Sequence, residues 1–228
     1  MWAVFKKELK SYFLSPIGYV VVGILLLVAS VFFYLTTVMY SSIDLGGLYF
    51  YTALYGLLIA VPLLTMRMFS EERKTGTEQL LLTSPRSVTS IVLGKFFAAC
   101  LVVLISTIAT LMYYLILLRF GKPHFGSSIV AILGFSLLAI AYVSFGMFAS
   151  SLTENQVIAA IISIGFFIVS WFLPSMVKSF KNLSLMNAFY GSFMVGTISA
   201  ANLVLLLSFT VMFVLFTIMI IQRRKNIK

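Results

Sequence analysis

Six long apolar stretches, separated by shorter polar segments, place the strongest constraint on how this chain can fold. Their central parts contain no Asp, Glu, Lys, Arg or His. Each approaches the roughly 20 residues that a helix needs to cross a bilayer. We therefore predict an all-α integral membrane protein with six transmembrane helices in a single domain, residues 1–228. The predicted spans are Ile17–Tyr40, Leu48–Phe69, Ile91–Leu118, Ser128–Ser151, Val157–Leu173 and Ala201–Ile221.

The composition excludes a water-soluble domain. Hydrophobic residues make up 61% of the chain and charged residues only 10%, whereas soluble domains carry about 25% charged residues. The net charge of +10 could suggest a nucleic-acid partner. However, the basic residues flank the apolar stretches, where the positive-inside rule and the inner leaflet place them. We therefore predict a lipid bilayer and no nucleic acid as the surroundings of this chain.

The distribution of Lys and Arg also predicts the orientation. If the N-terminus is cytoplasmic, twelve of the sixteen basic residues lie on the cytoplasmic side. The four on the outside are Arg119, Lys122, Lys178 and Lys181. This cytoplasmic excess predicts that both termini of the six-span chain are cytoplasmic.

Residues 1–16 form a separate element before the first span. Trp2, Phe5, Leu9 and Tyr12 recur at near-helical spacing, and the lysines of this region lie off that stripe. Basic amphipathic helices with aromatic anchors lie in the membrane interface, and Pro16 ends the pattern. We predict an interfacial helix, which either only anchors the first span or also takes part in function.

The loop between the second and third spans, residues 70–90, is the most polar part of the chain. Thr75 and Glu78 have the spacing of a capping box, and Pro85 limits any helix that follows. The sequence thus predicts a short cytoplasmic helix over about Thr77–Ser84. Its leucines, Leu80, Leu81 and Leu82, either enter a groove on a partner or pack back on the membrane surface.

Three segments resemble ABC-2-type permeases, and within them the gliding-motility-associated (GldF-like) subfamily. The first is MRMFSEERKTGTEQLLLTSPRSVTSIVLGK, from Met66 to Lys95. The others are KKELKSYFLSPIGYV, from Lys6 to Val20, and SSLTENQ, from Ser150 to Gln156. In span number and loop pattern the resemblance covers essentially the whole chain.

The resemblance implies a permease subunit of an ABC exporter in the plasma membrane of a prokaryote. The segment between spans two and three would be a coupling helix that docks on a separate ATPase, which binds ATP and Mg while this chain holds no cofactor. The interfacial helix would also touch the ATPase, and residues 174–200 would form short re-entrant helices. Further partners would be a second permease copy or paralogue and a GldG-like auxiliary membrane protein. The docking residues implied by position are Glu71, Glu72, Arg73, Gly76, Thr77, Glu78, Leu80 and Leu81.

Most other functions fit the sequence less well than a permease does. The chain has no G-x-x-x-x-G-K-S/T motif, so it cannot bind ATP by a P-loop. The single His124 lies in a short loop, and Cys100 is the only cysteine, so we predict no metal site and no enzymatic activity. An ion-coupled secondary transporter is disfavoured because the span centres lack ionisable groups. A membrane anchor for an ABC ATPase in a force or signalling complex would need the same docking helix and stays open.

Small residues four positions apart mark two of the predicted spans. Gly146 and Ser150 lie in the fourth span, and Ala159 and Ser163 lie in the fifth. This spacing allows the backbones of two helices to approach closely. We predict packing within the chain, with a dimer interface as the alternative.

Overall fold

The computed structural model describes residues 1–40, 44–79, 87–121, 123–176 and 184–227, and every regular element in these ranges is helical. The elements are α1 (Trp2–Leu14), α2 (Pro16–Phe33), α3 (Gly46–Tyr51), α4 (Leu57–Thr65), α5 (Ser70–Lys74), α6 (Val88–Ala109), α7 (Leu111–Phe120), α8 (Phe125–Leu152), α9 (Gln156–Met176), α10 (Leu185–Ala188) and α11 (Ala200–Ile227). Short π-helical turns follow α2 at Tyr34–Val38, join α3 to α4 at Thr52–Gly56, and follow α10 at Phe189–Phe193.

Five helical segments of the described chain are long and apolar enough to cross a membrane. They contain 23 to 32 residues and overlap the first four and the last of the predicted spans. The predicted fifth span, Val157–Leu173, coincides with a shorter apolar helix, Gln156–Phe172. The multi-pass membrane class is therefore confirmed, and the sixth crossing stays a prediction. The five segments are Pro16–Val38, Gly46–Lys74, Val88–Arg119, Phe125–Leu152 and Ala200–Asn226.

Local sequence signals explain where the first helices end and begin. Ser15 has an extended backbone between α1 and α2. Pro16 then occupies the first position of α2, where its missing N–H removes no helical hydrogen bond. Helix α6 starts after Ser87, whose hydroxyl accepts a hydrogen bond from the backbone N–H of Ser90 at 3.3 Å.

Helix α8 forms the centre of the bundle and packs against α4, α6, α9 and α11. Its glycines allow close approach, because a Cβ added at Gly146 would overlap Thr65 of α4. A Cβ added at Gly134 would overlap Phe193 in the turn after α10. Close backbone approach through small residues is the usual packing mode of helices in membranes, where no hydrophobic force drives helices together.

Contacts between distant parts of the chain define two ends of the bundle. At the basic end, named for its Lys and Arg residues, α1, α5, the start of α6, the turn 153–155 and the end of α11 meet. At the far end, Gly46 packs against Met194, and Gly196 packs against Ser127. The long helices therefore run alternately between these two ends.

The segment expected to form the outer region is residues 174–200, and part of its described portion, residues 185–193, packs into the far end of the bundle. Leu185, Met186, Phe189 and Phe193 are all buried there. The Ser184 hydroxyl donates a hydrogen bond to the carbonyl of Ser170 on α9 at 2.9 Å. The expected re-entrant helices fall partly on residues 177–183, which lie outside the described residues.

Candidate functional site

The chain leaves its second span through a turn that is held by Ser150 of α8. The Ser150 hydroxyl accepts hydrogen bonds from the backbone N–H groups of Phe69 at 3.1 Å and Ser70 at 3.2 Å. It also donates one to the carbonyl of Met66 at 3.1 Å. The side chain of Ser150 is fully buried. One serine thus satisfies the free backbone groups between α4 and α5 and fixes this turn to the central helix.

The short helix α5 ends at Thr75 and Gly76. The N–H of Thr75 donates to the carbonyl of Glu71 at 2.9 Å, and the N–H of Gly76 donates to that of Arg73 at 3.1 Å. Gly76 has a φ of +74°, the left-handed conformation that commonly ends helices. The Thr75 hydroxyl donates back to the carbonyl of Glu71 at 2.9 Å.

The predicted capping box is therefore wrong, because Thr75 closes one helix instead of opening the next. Helical backbone resumes at Glu78 and Gln79. The rest of the predicted helix, with Leu80 and Leu81, lies outside the described residues. The polar loop therefore contains a helix earlier than the sequence pattern indicated, at Ser70–Lys74.

A buried lysine joins three elements at the basic end. The side chain of Lys95 on α6 is 2% exposed. Its Nζ lies 2.8 Å from Glu72 Oε1 on α5 and 3.1 Å from Glu8 Oε1 on α1. It also lies 5.4 Å from the centre of the Phe69 ring, within cation–π range. We term Glu8, Glu72 and Lys95 the Lys95 centre.

The carboxylates of Glu8 and Glu72 compensate the positive charge of the buried Lys95. An isolated buried charge is strongly destabilising, and removing one member of a buried pair leaves the other uncompensated. Burial also raises the pKa of the neighbouring Tyr12 hydroxyl well above its usual range, and the carboxylate of Glu8 raises it further. Tyr12 therefore stays neutral and adds no charge to the Lys95 centre.

A second cluster, the arginine cluster, ties the same segment to the rest of the basic end. Arg73 on α5 lies 2.6 Å from Glu154 in the turn before α9, and its Nε lies 3.7 Å from Glu78. Arg224 near the end of α11 lies 3.2 Å from Glu78. The Arg224 guanidinium also donates to the backbone carbonyl of Ser151. Residues 70–79 belong to the predicted coupling segment, residues 70–90, and are thus linked to α1, α6, α8 and α11; we refer to residues 70–79 as the coupling segment.

The predicted docking residues separate into two groups. Glu72, Arg73 and Glu78 make ion pairs within the chain. Gly76 and Thr77 are exposed, and Glu71 is half-buried.

Helix α1, the predicted interfacial helix, packs partly on the rest of the protein. Trp2 is 71% exposed and stacks on Phe5, with ring centres 5.2 Å apart. Tyr12 and Val4 are buried, and a Cβ at Gly94 of α6 would lie 2.9 Å from the Cβ of Val4. Phe5 and Leu9 are partly buried against the core. Much of the predicted aromatic stripe therefore packs on the protein.

The four small residues singled out in the sequence all lie in helix contacts or buried positions. Gly146 and Ser150 face α4 and the turn after it. Ala159 and Ser163 are buried on α9, where the Ser163 hydroxyl bonds only to the carbonyl of Ala159 at 2.9 Å among the contacts of described residues. The first pair thus holds the coupling segment, and the second lies in the packed face of α9.

Sequence reasoning missed Glu8, Glu154 and Arg224 as parts of this site, and it treated Lys95 only as a topology signal and as the end of a segment that resembles ABC-2 permeases. A usable signal existed for Lys95, because a lysine inside an apolar helix needs an opposite charge. Its partner Glu8 lies 87 positions away, so the sequence gives no indication that this carboxylate is used.

Apolar helices of membrane-spanning length place the chain among multi-pass membrane proteins. Residues 37–226 match a family model described as ABC-2 family transporter protein, and the chain therefore belongs to the ABC-2 transporter family. No significant match to a curated protein was found. Membership supports a permease component of an ABC transporter, a membrane subunit that is not itself catalytic.

Proposed function

We propose that this chain is the permease subunit of an ABC exporter and that a separate ATPase docks on its coupling segment. The observation that carries this proposal is the fixed position of residues 70–79 at the basic end. Hydrogen bonds and ion pairs hold this segment from several sides, although most of Lys74 to Thr77 is exposed. A surface ordered before binding loses less conformational entropy when a partner docks.

The contacts within the chain support two roles for the residues of the coupling segment, positioning of the segment and docking of the ATPase. Glu72, Arg73 and Glu78 position it through internal ion pairs. We propose that the ATPase contacts the exposed side, including Gly76 and Thr77. Leu80 and Leu81, outside the described residues, would enter the groove of the ATPase.

We further propose six crossings with both termini in the cytoplasm of a prokaryotic cell. Helix α9 supports a sixth crossing, since it starts at the basic end and reaches Ser184, which precedes the α10 segment at the far end. The excess of basic residues beside α1, α5 and the end of α11 supports a cytoplasmic basic end.

The remaining partners follow from the resemblance to GldF-like permeases. Six spans correspond to half of the usual pathway in this family, so we propose pairing with a second copy or a paralogue. A GldG-like auxiliary membrane protein would complete the complex, and ATP and Mg would bind only to the ATPase.

A paired set of substitutions tests docking. Leu80→Asp with Leu81→Asp should abolish co-purification of the co-expressed ABC ATPase and stimulation of its activity. The control, Val195→Asp with Ile198→Asp, places the same change on exposed residues beyond α10 and should preserve both. If the first variant inserts normally and still binds and stimulates the ATPase, the docking proposal is wrong. If the intact complex hydrolyses ATP but moves no solute in vesicles, the anchor function is favoured.

A further inference from the structure

The Lys95 centre connects elements that pack mainly on different helices. Helix α1 packs against α2 and α6, whereas α5 packs against α8 and α9. The ammonium of Lys95 reaches both, through Glu8 on α1 and Glu72 on α5. The two carboxylates are 13% and 14% exposed, so water screens these ion pairs only weakly.

We propose that Lys95 is a positioning residue that makes α1, the coupling segment and the start of α6 move as one body. This inference rests on the proposed function, because the motion it transmits is the one that the ATPase imposes on the coupling segment. The chain between α5 and α6 joins the two helices covalently. The ion pairs add a direct link between α5 and α6 and extend it to α1.

The physical reason is that separating the members of the Lys95 centre is strongly unfavourable in free energy. Moving α1 away from α5 would strip one carboxylate from a lysine that solvent barely reaches. Separating a buried pair leaves an uncompensated charge, which is far more unfavourable than breaking a pair in water. The Phe69 ring beside Nζ adds a contact from the turn that Ser150 holds. A displacement of the coupling segment is therefore passed to α1 and to the third span.

The Lys95 centre could instead serve only to stabilise the fold, and two variants separate these roles. Lys95→Met alone leaves two buried carboxylates without their cation and is expected to destabilise the protein. The triple variant Glu8→Gln, Glu72→Gln, Lys95→Met removes all three charges together. Replacing a complete buried ionic group by neutral residues is often tolerated. The triple variant therefore tests the link in a folded protein. The single variant Lys95→Arg keeps the positive charge and should retain the link.

Spin-label distances in nanodiscs provide the readout. Cys100 is the only cysteine and is buried, so Cys100→Ser gives the background. Labels at Lys10→Cys on α1 and Thr77→Cys on the coupling segment occupy exposed positions. In the permease alone, this pair should give one narrow distance distribution. The triple variant should lose that single narrow peak, whereas Arg223→Gln, which removes the charge of an exposed residue, should keep it.

A second label pair keeps this test separate from that of the proposed function. Lys74→Cys at the end of α5 and Val195→Cys at the far end, both exposed, report how the coupling segment moves when the ATPase and a non-hydrolysable ATP analogue bind. If this distance never changes in the complex with otherwise native sequence, ATPase coupling is refuted. If the Lys10–Thr77 distance distribution is equally narrow in the triple variant, the proposed role of Lys95 as a positioning residue is refuted. This conclusion does not depend on the second label pair.

Discussion

The guanidinium of Arg224 lies 3.2 Å from the carboxylate of Glu78, although 146 positions separate the two residues. Glu78 is buried beside Arg73 as well, so a single carboxylate joins the coupling segment to the end of the last helix. This pairing means that the cationic end of α11 is part of the structure that holds the coupling segment. It is therefore more than a flanking signal for membrane orientation.

Arg224→Gln should loosen the coupling segment without unfolding the bundle. The lost bonds to Glu78 and Ser151 involve a charged, partly buried donor, and we expect a loss of about 1–2 kcal/mol. Faster hydrogen exchange over residues 70–79 and a lower Tm would report it. The neighbouring Arg223 is exposed, and Arg223→Gln should leave both unchanged. Equal effects of the two substitutions would contradict a specific role for Arg224.

Ser150→Ala should weaken the turn after the second span. The substitution leaves the backbone N–H groups of Phe69 and Ser70 without their acceptor, which costs about 1–3 kcal/mol. Ser163→Ala is the control, because this equally buried hydroxyl bonds only to the carbonyl of Ala159 in the described contacts. Thermal unfolding and exchange at Phe69 and Ser70 should respond to the first substitution alone. A Ser163→Ala effect of the same size would indicate that any buried hydroxyl matters equally.

Gly146→Ala should separate α4 from α8. The added methyl group overlaps Thr65 in a close helix contact, and overpacking of this kind costs about 1–3 kcal/mol. Gly165→Ala in α9 is a matched change, since a Cβ there meets no atom within 4 Å. It should be neutral or slightly stabilising, because alanine favours helix over glycine. Scanning fluorimetry of the purified variants distinguishes these outcomes, and a stable Gly146→Ala protein would refute the close contact.

Gly76→Val should impair ATPase stimulation through backbone conformation alone. No atom of the described residues beyond the chain neighbours of Gly76 lies within 4 Å of an added Cβ, but the φ of +74° costs a branched residue about 1–2 kcal/mol. Gly76→Asn should retain stimulation, because asparagine tolerates the left-handed conformation. Steady-state ATPase rates of the reconstituted complex provide the comparison. If asparagine fails as completely as valine, the side chain itself, and not the turn, is what the partner rejects.

The helix layout was largely predictable, because apolar length is a local property of the sequence. The segment from Ser128 to Ser151, for example, lies within a helix that extends only a few residues further on each side. The start of α2 at Pro16 also followed from local chemistry. These features depend on neighbouring residues alone, so a single sequence contains the information that they require.

The charged site was less predictable because its partners come from distant elements. The T-x-x-E spacing at Thr75 and Glu78 suggested a helix start, but Gly76 permits a left-handed helix end at the same position. Glu72 and Arg73 were assigned to docking by resemblance, whereas their charges are paired inside the chain. Which carboxylate meets which base is decided by packing, and no local pattern encodes it.

The contact between Gly146 and Thr65 has a mechanical consequence. Ser150 lies four residues further along α8, about 6 Å nearer its end, where it holds the turn after α4. The second and fourth spans are thus held together near the basic end by the Gly146–Thr65 contact and by the Ser150 hydroxyl. Toward the far end, Gly134 of α8 packs against Phe193 in the turn after α10 instead. A force applied at this contact would therefore move the two spans apart at the opposite membrane face.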